Sequence, residues 1–187
     1  MSDEATPDLQ PVLKGQRVWL RPLTADDFAA CHRAAADPAT WAAHPDRLRY
    51  REEVFRARLF DSALASGSAL VILDTQDNQI IGATRYYDWD PVHREIAIGY
   101  SYLAPAYWGT GANSEVKQLM LDHVFRWALV VWFHVAQDNL RSCRAVEKLG
   151  AYPVRKEHRQ LDDRPFVQTY YRLTRCSWMG QANKTRH

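Results

Sequence analysis

A glycine-rich turn between an apolar run and a helical pattern constrains this chain more than any other feature. The run REIAIGYSYL has the residue types of a strand, and Gly109, Gly111 and Ala112 follow it. Four apolar residues then recur at helical spacing: Val116, Leu119, Met120 and Val124. This spacing predicts a helix over about 111–129. A strand joined to a helix by a tight turn is a building unit of mixed α/β domains.

The patterns on either side of this unit complete one domain. Before it, QRVWLRPL predicts a strand, two helical stretches follow, and SALVILD and QIIGATRYYDW predict a hairpin across TQDN. After it, WFHVAQ predicts a strand, NLRSCRAVEKLG a short helix, and AYPVRKEHR with PFVQTYYRL a hairpin across LDDR. This order predicts an α/β (α+β) fold with one central sheet over residues 13–175. Residues 1–12 are expected to form a flexible segment and residues 176–187 a tail.

Composition and charge exclude several classes of protein. The 187 residues suffice for one hydrophobic core, and a net charge of +2 gives no basic face for nucleic acid. Cys31, Cys143 and Cys176 form no CxxC pair and the histidines show no metal-ligand spacing, so neither a disulfide framework nor a metal site is expected. The acidic N-terminus lacks a signal-peptide pattern, and no apolar run reaches the ~18 residues of a membrane span. We therefore expect a cytoplasmic protein with no nucleic-acid or membrane partner.

Small residues at a helix start allow a ligand to come close to the backbone. The first N–H groups of a helix have no partner within it and carry partial positive charge, which favours phosphate. The stretch GTGANSEVK lacks the Gly-Lys-Ser/Thr of the phosphate loop in nucleotide hydrolases. It also lacks the third glycine of the dinucleotide fingerprint, because Ser114 stands there. This segment alone supports an anion site and a tight turn without a ligand equally.

A second polar segment follows the next predicted strand. In DNLRSCRAVEKLGA, Asn139 and Ser142 stand at the start of a helix, and Asn139 is a good N-cap residue. Leu140, Cys143 and Val146 share the apolar face of that helix. By itself, this segment is more typical of a capped helix than of a ligand site.

Together and in this order, the two segments resemble the GNAT superfamily of N-acetyltransferases. The first is similar to motif A, an apolar strand followed by Arg/Gln-x-x-Gly-x-Gly/Ala and a long helix, and the second to motif B, Asn-x-x-Ser…Glu-Lys-x-Gly. The runs LKGQRVWLRPLTADD and IGYSYLAPAYWGTG are similar to the Rim branch, the ribosomal-protein alanine acetyltransferases and their relatives. The resemblance spans Val12 to Leu173. Trp108 departs from motif A at the usual Arg or Gln, and Asn113 at the usual Gly or Ala, which affects the expected affinity more than the fold.

The resemblance implies that acetyl-CoA binds in an opening between two splayed parallel strands. These are AIGYSYL and WFHVAQ, the fourth and fifth strands of the predicted sheet. The backbone of the first strand would pair with the pantetheine arm, and the amides of the glycine turn would hold the pyrophosphate. The implied cofactor-binding residues are Tyr102, Leu103, Trp108, Gly109, Thr110, Gly111, Ala112, Asn113, Asn139 and Ser142.

The family mechanism implies direct transfer to a primary amine, without a covalent enzyme intermediate. Glu95 is the expected base, because it shares a strand face that leads into the site; a surface partner of Arg94 or Arg85 is the alternative. In the Rim branch a serine at this motif B position lies near the sulfur, which assigns the protonation of the thiolate to Ser142. Tyr152 is a reserve for that role, although a core aromatic is the favoured interpretation.

The acceptor is the least constrained part of this interpretation. Trp41, Tyr87 and Trp89 are expected to line its entrance, and Asp88 and Asp90 would suit a cationic amine. The same aromatic residues could belong to the core or to a dimer contact, and the resemblance implies a homodimer. The acceptor would be a protein N-terminus or a small-molecule amine. The alternative function is a non-catalytic protein of this fold that binds acyl-CoA as a sensor or scaffold.

Overall fold

One sheet of eight strands organises the chain, and the computed structural model describes residues 7–184. The strands are β1 Leu13–Lys14, β2 Val18–Pro22, β3 Ala69–Asp74, β4 Ile80–Asp90, β5 Glu95–Leu103, β6 Val130–Ala136, β7 Tyr152–Leu161 and β8 Arg164–Thr174. Their spatial order is β1-β2-β3-β4-β5-β6-β8-β7. The β5–β6 pair is parallel and the other neighbouring pairs are antiparallel. The predicted mixed α/β fold is therefore confirmed; among the described strands, the two-residue β1 is the one that sequence patterns missed.

Helices cover both faces of this sheet. They are α1 Phe28–Ala35, α2 Glu52–Phe55, α3 Asp61–Ala65, α4 Ala112–Val124, α5 Leu140–Lys148 and α6 Arg175–Lys184, with a π-helical turn, Arg56–Phe60, between α2 and α3. Helix α4 ends at Val124 and not near 129. The chain tightens there into turns, with the Trp127 N–H donating to the Val124 carbonyl at 3.1 Å, before it enters β6. None of the described helices is long and apolar enough to cross a membrane.

The interior has two hydrophobic clusters, one on each face of the sheet. The alternation of β3 divides them: Leu70 and Ile72 pack in the cluster that includes Met120 of α4, whereas Val71 and Leu73 pack in the cluster that includes Cys31 of α1. The apolar face predicted for α5 is partly wrong. Cys143 and Val146 are buried, but Leu140 is 60% exposed because it is the first helical residue after the exposed turn at 137–138.

The start of α4 is tied to the loop between β1 and β2. The Glu115 carboxylate accepts hydrogen bonds from the backbone N–H groups of Gln16, Arg17 and Val18, at 2.8, 2.9 and 3.0 Å. Three bonds to one charged group fix its orientation strongly. Glu115 therefore holds the glycine turn that precedes α4 in a fixed position relative to the sheet.

Residues at both ends of the described chain pack against the hydrophobic cluster that includes Met120, although the sequence predicts a flexible segment and a tail there. The expected tail begins as α6, because Trp178 packs against the main cluster and its Nε1 donates to Asp122 Oδ1 at 2.8 Å. At the other end, Leu9 packs against the same cluster and His123 Nε2 lies 2.7 Å from the Asp8 carbonyl oxygen. The remainder of the predicted flexible segment, residues 1–6, lies outside the described residues, as do residues 185–187.

Candidate active site

The parallel strands β5 and β6 pair at one end only. Their register joins Glu95 with Val130, Ile96 with Val131 and Ala97 with Trp132. Beyond Ala97 no further pair joins them within the described chain, although β5 runs on to Leu103 and β6 to Ala136. The sheet is therefore splayed between these two strands, as the sequence resemblance implied.

An irregularity in β5 accompanies the opening. Tyr100 has φ +50°, which is uncommon for a residue with a side chain, and the β4–β5 register shifts between Ala83 and Arg85. Just before it, the backbone of Gly99 lies against Tyr87, and a Cβ there would come within 2.9 Å of the Tyr87 ring. A bulge of this kind turns one strand away from its neighbour. The bulge directs the end of β5 away from β6.

Two neighbouring cavities lie at the opening, and four residues line both of them: Ser101, Asn113, Ser142 and Ala145. The turn cavity, about 180 Å³, is also lined by Tyr102, Leu103, Trp108, Gly109 and Arg141. The inner cavity, about 160 Å³, extends to Trp41, His44, Arg49, Lys117, His134 and Asn139. The structure thus brings together seven of the residues predicted to bind the cofactor, from β5, the glycine turn, α4 and α5.

The other three predicted residues belong to the turn without lining these cavities. Gly111 is the N-cap of α4 with φ +90°, and Gly109 has φ +75°, so both positions use a backbone that glycine adopts at low cost. Thr110 donates its hydroxyl to the Tyr107 carbonyl at 2.8 Å, while Ala112 is buried beneath the turn. The backbone N–H groups of residues 109–111 make no hydrogen bond to any described residue. These donors, at the positive end of α4, can bind an anion.

Trp108, the departure from motif A, forms one wall of the turn cavity. Its Nε1 donates to the Leu103 carbonyl at 3.0 Å, and the Arg141 guanidinium lies 3.6 Å from its ring centroid. Such a cation–π contact holds the arginine at the cavity edge. In the sequence, Arg141 is typical of a solvated helix face. No spacing pattern links a residue of α5 to a tryptophan thirty-odd positions earlier, so the pair was missed.

The motif B residues start α5 at the opening. Asn139 Oδ1 accepts from the Ser142 backbone N–H at 3.2 Å, which confirms Asn139 as the N-cap of this helix. The Ser142 hydroxyl donates to no other described side chain or carbonyl, and the residue lines both cavities. It is therefore available to a ligand at the junction of the two cavities.

Lys117 is a residue of this site that sequence reasoning missed. It lies on α4, is 7% exposed, and its Nζ donates to Ser101 Oγ at 2.6 Å. Ser101 Oγ in turn lies 2.7 Å from Thr84 Oγ1. Burial lowers the pKa of Lys117 to about 7. The signal was present: position 117 precedes Met120 by three and Val124 by seven, which places a charged residue on the buried stripe of α4.

Three predicted residues lie away from the cavities. Glu95 stands at the paired end of β5, about 20 Å along an extended strand from Ser101, and its carboxylate accepts from Trp132 Nε1 at 2.7 Å. Trp89 packs edge-on against Trp127 with ring centroids 4.8 Å apart, next to the end of α4. Tyr152 is 47% exposed, so it is not a core aromatic.

Trp41 and Tyr87 do lie near the inner cavity, in different ways. Trp41 is buried and lines the cavity, with its Nε1 donating to the Ala35 carbonyl at 2.8 Å. Tyr87 lines an adjoining surface groove, the outer groove, and its hydroxyl lies 3.0 Å from His134 Nδ1. Asp88 also lines the outer groove, whereas Asp90 pairs with the exposed His93 at 2.6 Å and lines neither space.

The groups between the inner cavity and the outer groove are mainly basic and aromatic. Five residues line both spaces: His44, Arg49, Tyr100, His134 and Ala136. Burial, together with the nearby Arg49 charge, lowers the pKa of His44 to about 4, so this imidazole is neutral at pH 7. Arg49 pairs with Asp46 at 3.1 Å. Among residues 7–184, no cluster of three or more His, Cys, Asp or Glu side chains is arranged to hold a metal ion.

Comparison with known families now connects this geometry with a class of protein. Residues 17–152 match the family model described as the acetyltransferase (GNAT) domain. The chain belongs to the GNAT acetyltransferase family. The GNAT fold accounts for the sheet that opens between its parallel strands. The narrower likeness to the Rim branch stays a prediction.

Solved structures with the same fold extend over nearly the whole GNAT chain. A GCN5-related N-acetyltransferase from Brucella melitensis is 18% identical with a TM-score of 0.81, covering 91% of this chain and 81% of its own. A protein from T. thermophilus is 28% identical with a TM-score of 0.75, covering 94% of each chain. A spermidine N-acetyltransferase from Vibrio cholerae, solved with CoA and spermine, is 16% identical with a TM-score of 0.70, covering 88% of this chain and 99% of its own. The Brucella melitensis and Vibrio cholerae structures, at 18% and 16% identity, establish the fold alone.

Proposed function

We propose that this GNAT protein is an N-acetyltransferase that moves an acetyl group from acetyl-CoA directly to a primary amine. One observation carries the proposal: β5 and β6 stop pairing after Ala97, and two neighbouring cavities lie at the opening between them. A strand end without a neighbour leaves backbone N–H and C=O groups that an extended ligand can pair with. A pantetheine arm has amides that suit this kind of pairing.

The residues at the turn cavity fit the cofactor. The unpaired N–H groups of residues 109–111 would hold the pyrophosphate, and a Cβ placed on Gly109 would meet nothing within 4 Å, so the turn is open on that side. The β5 backbone at Tyr102 and Leu103 would pair with the arm, and Asn139 would hydrogen-bond it from α5. When bound, acetyl-CoA supplies the activated acetyl group.

The reaction needs proximity, stabilisation of the carbonyl oxygen and proton transfer. A neutral amine would approach through the inner cavity and attack the thioester carbonyl carbon, forming the N–C bond as the C–S bond breaks. A backbone N–H at the open end of β5 would donate to the carbonyl oxygen. Ser142, at the junction of the cavities, would give its proton to the sulfur and would regain one from the proton that the attacking nitrogen releases. Glu95 has no part in this mechanism, because its carboxylate is bonded to Trp132 at the paired end.

The acceptor is either a protein N-terminal amine or a small-molecule amine. The inner cavity reaches the surface past His44, Arg49 and Tyr100, beside the outer groove. Arg49 and Arg159 flank that route, with Asp88 as an acidic residue of the groove. The spermine bound to the Vibrio cholerae protein is a property of that protein, and at 16% identity it does not assign a polyamine acceptor to this chain.

Two measurements test the proposal together. Calorimetry with acetyl-CoA tests binding, and a thiol-release assay with a panel of α-amino acids, short peptides, polyamines and aminoglycosides tests turnover. We expect binding and amine-dependent release of CoA. Binding without release on any amine would support the acyl-CoA sensor instead, and no binding at all would remove both functions.

A further inference from the structure

Lys117 is a buried cation at the wall of the inner cavity. It extends from α4 towards β5, and the hydrogen bond to Ser101 Oγ is the only one its ammonium makes with a described residue. An ammonium carries three N–H donors, so two remain for the cavity that Lys117 lines. Burying a charge with only a hydroxyl partner is costly, and a buried cation at a cavity wall is a candidate for a functional role.

Among the titratable side chains that line the inner cavity, Lys117 is the one whose charge changes near neutral pH. The titratable side chains lining the inner cavity with it are His44, Arg49, Tyr100 and His134, and no carboxylate lines the cavity among the described residues. Burial lowers the pKa of both His44 and His134 below the ordinary value, so both imidazoles are neutral at pH 7. Arg49 stays charged across this range. The one partner at hydrogen-bonding distance of Lys117 Nζ among the described residues is the neutral hydroxyl of Ser101 on β5, which in turn contacts the Thr84 hydroxyl of β4.

We propose that Lys117, acting through the Ser101 hydroxyl, is the proton shuttle of the acetyl-transfer reaction. This inference rests on the proposed function. As the N–C bond forms, the attacking nitrogen gives one proton to Ser101 Oγ while the Ser101 proton passes to neutral Lys117 Nζ. As the C–S bond breaks, the electron pair stays on sulfur, and the proton returns through a hydroxyl at the junction to give the free thiol. The amine has then lost one proton, the thiolate has gained one, and Lys117 is neutral again.

The placement of the pair suits this path. Ser101 lines both cavities, so its hydroxyl faces the place where the acetyl donor from the turn cavity and the amine from the inner cavity would meet. Ser142 lines the same junction from α5. A shuttle works best when its pKa lies close to the working pH, because it must both accept and release a proton. The pKa of Lys117, lowered to about 7 by burial, meets this condition.

The first test needs no turnover. In the full chain labelled with ¹³C at the lysine ε carbon, the resonance that disappears in the Lys117→Met variant identifies Lys117. We expect this resonance to titrate near pH 7, well below the ordinary lysine value of 10.5. Titration together with the exposed lysines would overturn the proposal, because Lys117 would then stay protonated throughout the reaction.

The second test measures kcat and KM against pH for Lys117→Met, with Lys148→Met, an exposed lysine of α5, as the matched control. Two acceptors with different amine pKa values separate the ionisation of the acceptor from that of the protein. We expect Lys117→Met to lose about 100-fold in kcat, to keep the KM for acetyl-CoA within about threefold, and to lose the inflection near pH 7 that both acceptors share. Lys117→Arg should not restore the rate, because arginine does not release its proton.

The outcomes separate this inference from the function on which it rests. If the wild-type chain releases no CoA with any amine, the proposed function fails and the shuttle fails with it. If the wild-type chain turns over and Lys117→Met keeps both the rate and the inflection, the shuttle alone is overturned. Because methionine removes a buried charge, we expect the variant to fold at least as stably, and thermal unfolding checks this.

Discussion

The two ends of the β5–β6 pair use the same parallel strands for opposite purposes. At the closed end, Ile96 and Val131 are fully buried and pair across the sheet. At the open end, β5 carries the small residues Gly99 and Ser101 and the bulge at Tyr100, and no pair joins it to β6 within the described chain. The two ends therefore differ in backbone pairing: the regular register joins the strands as far as Ala97, and the bulge in β5 turns that strand away from β6 where a ligand can enter.

The open end also holds titratable side chains whose pKa values are shifted. Lys117 and His44 have lowered pKa values there because burial disfavours their charged forms. At the closed end the main polar contact is the Glu95–Trp132 hydrogen bond, which satisfies both partners. If this contrast is correct, substitutions at the open end change kcat or the affinity for acetyl-CoA. Substitutions at the closed end change the free energy of unfolding.

The largest expected effect is on turnover. Ser142→Ala removes the hydroxyl at the junction and leaves the α5 cap intact, because Asn139 accepts from the Ser142 backbone N–H. We expect kcat to fall by about 100-fold while the acetyl-CoA dissociation constant changes by less than about threefold. Steady-state kinetics and calorimetry measure the two quantities. Ser114→Ala, at an exposed position of α4, is the control; an equal loss in both variants would contradict the assignment.

The second effect is a pH-dependent gain in stability. The folded pKa of Lys117, about 7, lies below its ordinary value of 10.5, so between these values the unfolded chain binds a proton that the folded chain does not. Wild-type stability therefore rises with pH through this window, and the penalty is largest at and below pH 7. Lys117→Met should raise the free energy of unfolding by on the order of 2 kcal/mol at neutral pH, and by less near pH 9.5. Urea denaturation at both pH values measures this.

The exposed Lys148 again supplies the comparison for that experiment. Lys148→Met makes the same substitution at an exposed position, so it reports how much of the change in the free energy of unfolding comes from replacing a lysine without burial. A gain for Lys117→Met that is equal at both pH values would mean that the buried lysine is not forced towards its neutral form. The open end would then not hold a buried lysine with a lowered pKa, and this difference from the closed end would be lost.

The third effect is on cofactor affinity. Gly111→Val places a β-branched residue at φ +90°, in the turn whose N–H groups face the proposed pyrophosphate. We expect acetyl-CoA to bind at least tenfold more weakly, as calorimetry would report. Gly67→Val is a matched control, because Gly67 also has a positive φ, +61°, and open space around it, but ends α3 far along the chain from the turn. Equal affinity loss in both would indicate general strain and not a blocked site.

The sequence was sufficient for the fold because each element carried its own pattern. The strands, the capped α5 and the glycine turn follow from local periodicity and from residues with special backbone preferences, such as Gly111 and Asn139. The family resemblance carried by these segments also implied seven residues that line the cavities. The end of α4 and the helix α6 were missed, because tertiary contacts such as that of Trp178 with Asp122 determine them.

Functional side chains were harder to predict, since their roles depend on residues that are distant in the sequence. The spacing places Lys117 on the buried stripe of α4, but the group that its Nζ contacts is known only when Ser101 of β5 is seen beside it. Glu95 has the right residue type for a base and lies on the right strand, but strand alternation gives its face and not its distance from the opening. Only the register, which ends at Ala97, shows that Glu95 belongs to the closed end.

The smallest expected effect therefore comes from Glu95 itself. Glu95→Gln keeps an acceptor for Trp132 Nε1 but removes the charge, so we expect the free energy of unfolding to fall by under about 1 kcal/mol. The same variant separates the two assignments of Glu95. A general base costs about 100-fold or more in kcat when its carboxylate is lost, whereas a residue that holds Trp132 at the closed end costs little. A large loss in kcat, with the pH profile shifted and the stability unchanged, would mean that the catalytic region extends through the paired strands and that the division between the two ends of the β5–β6 pair is wrong.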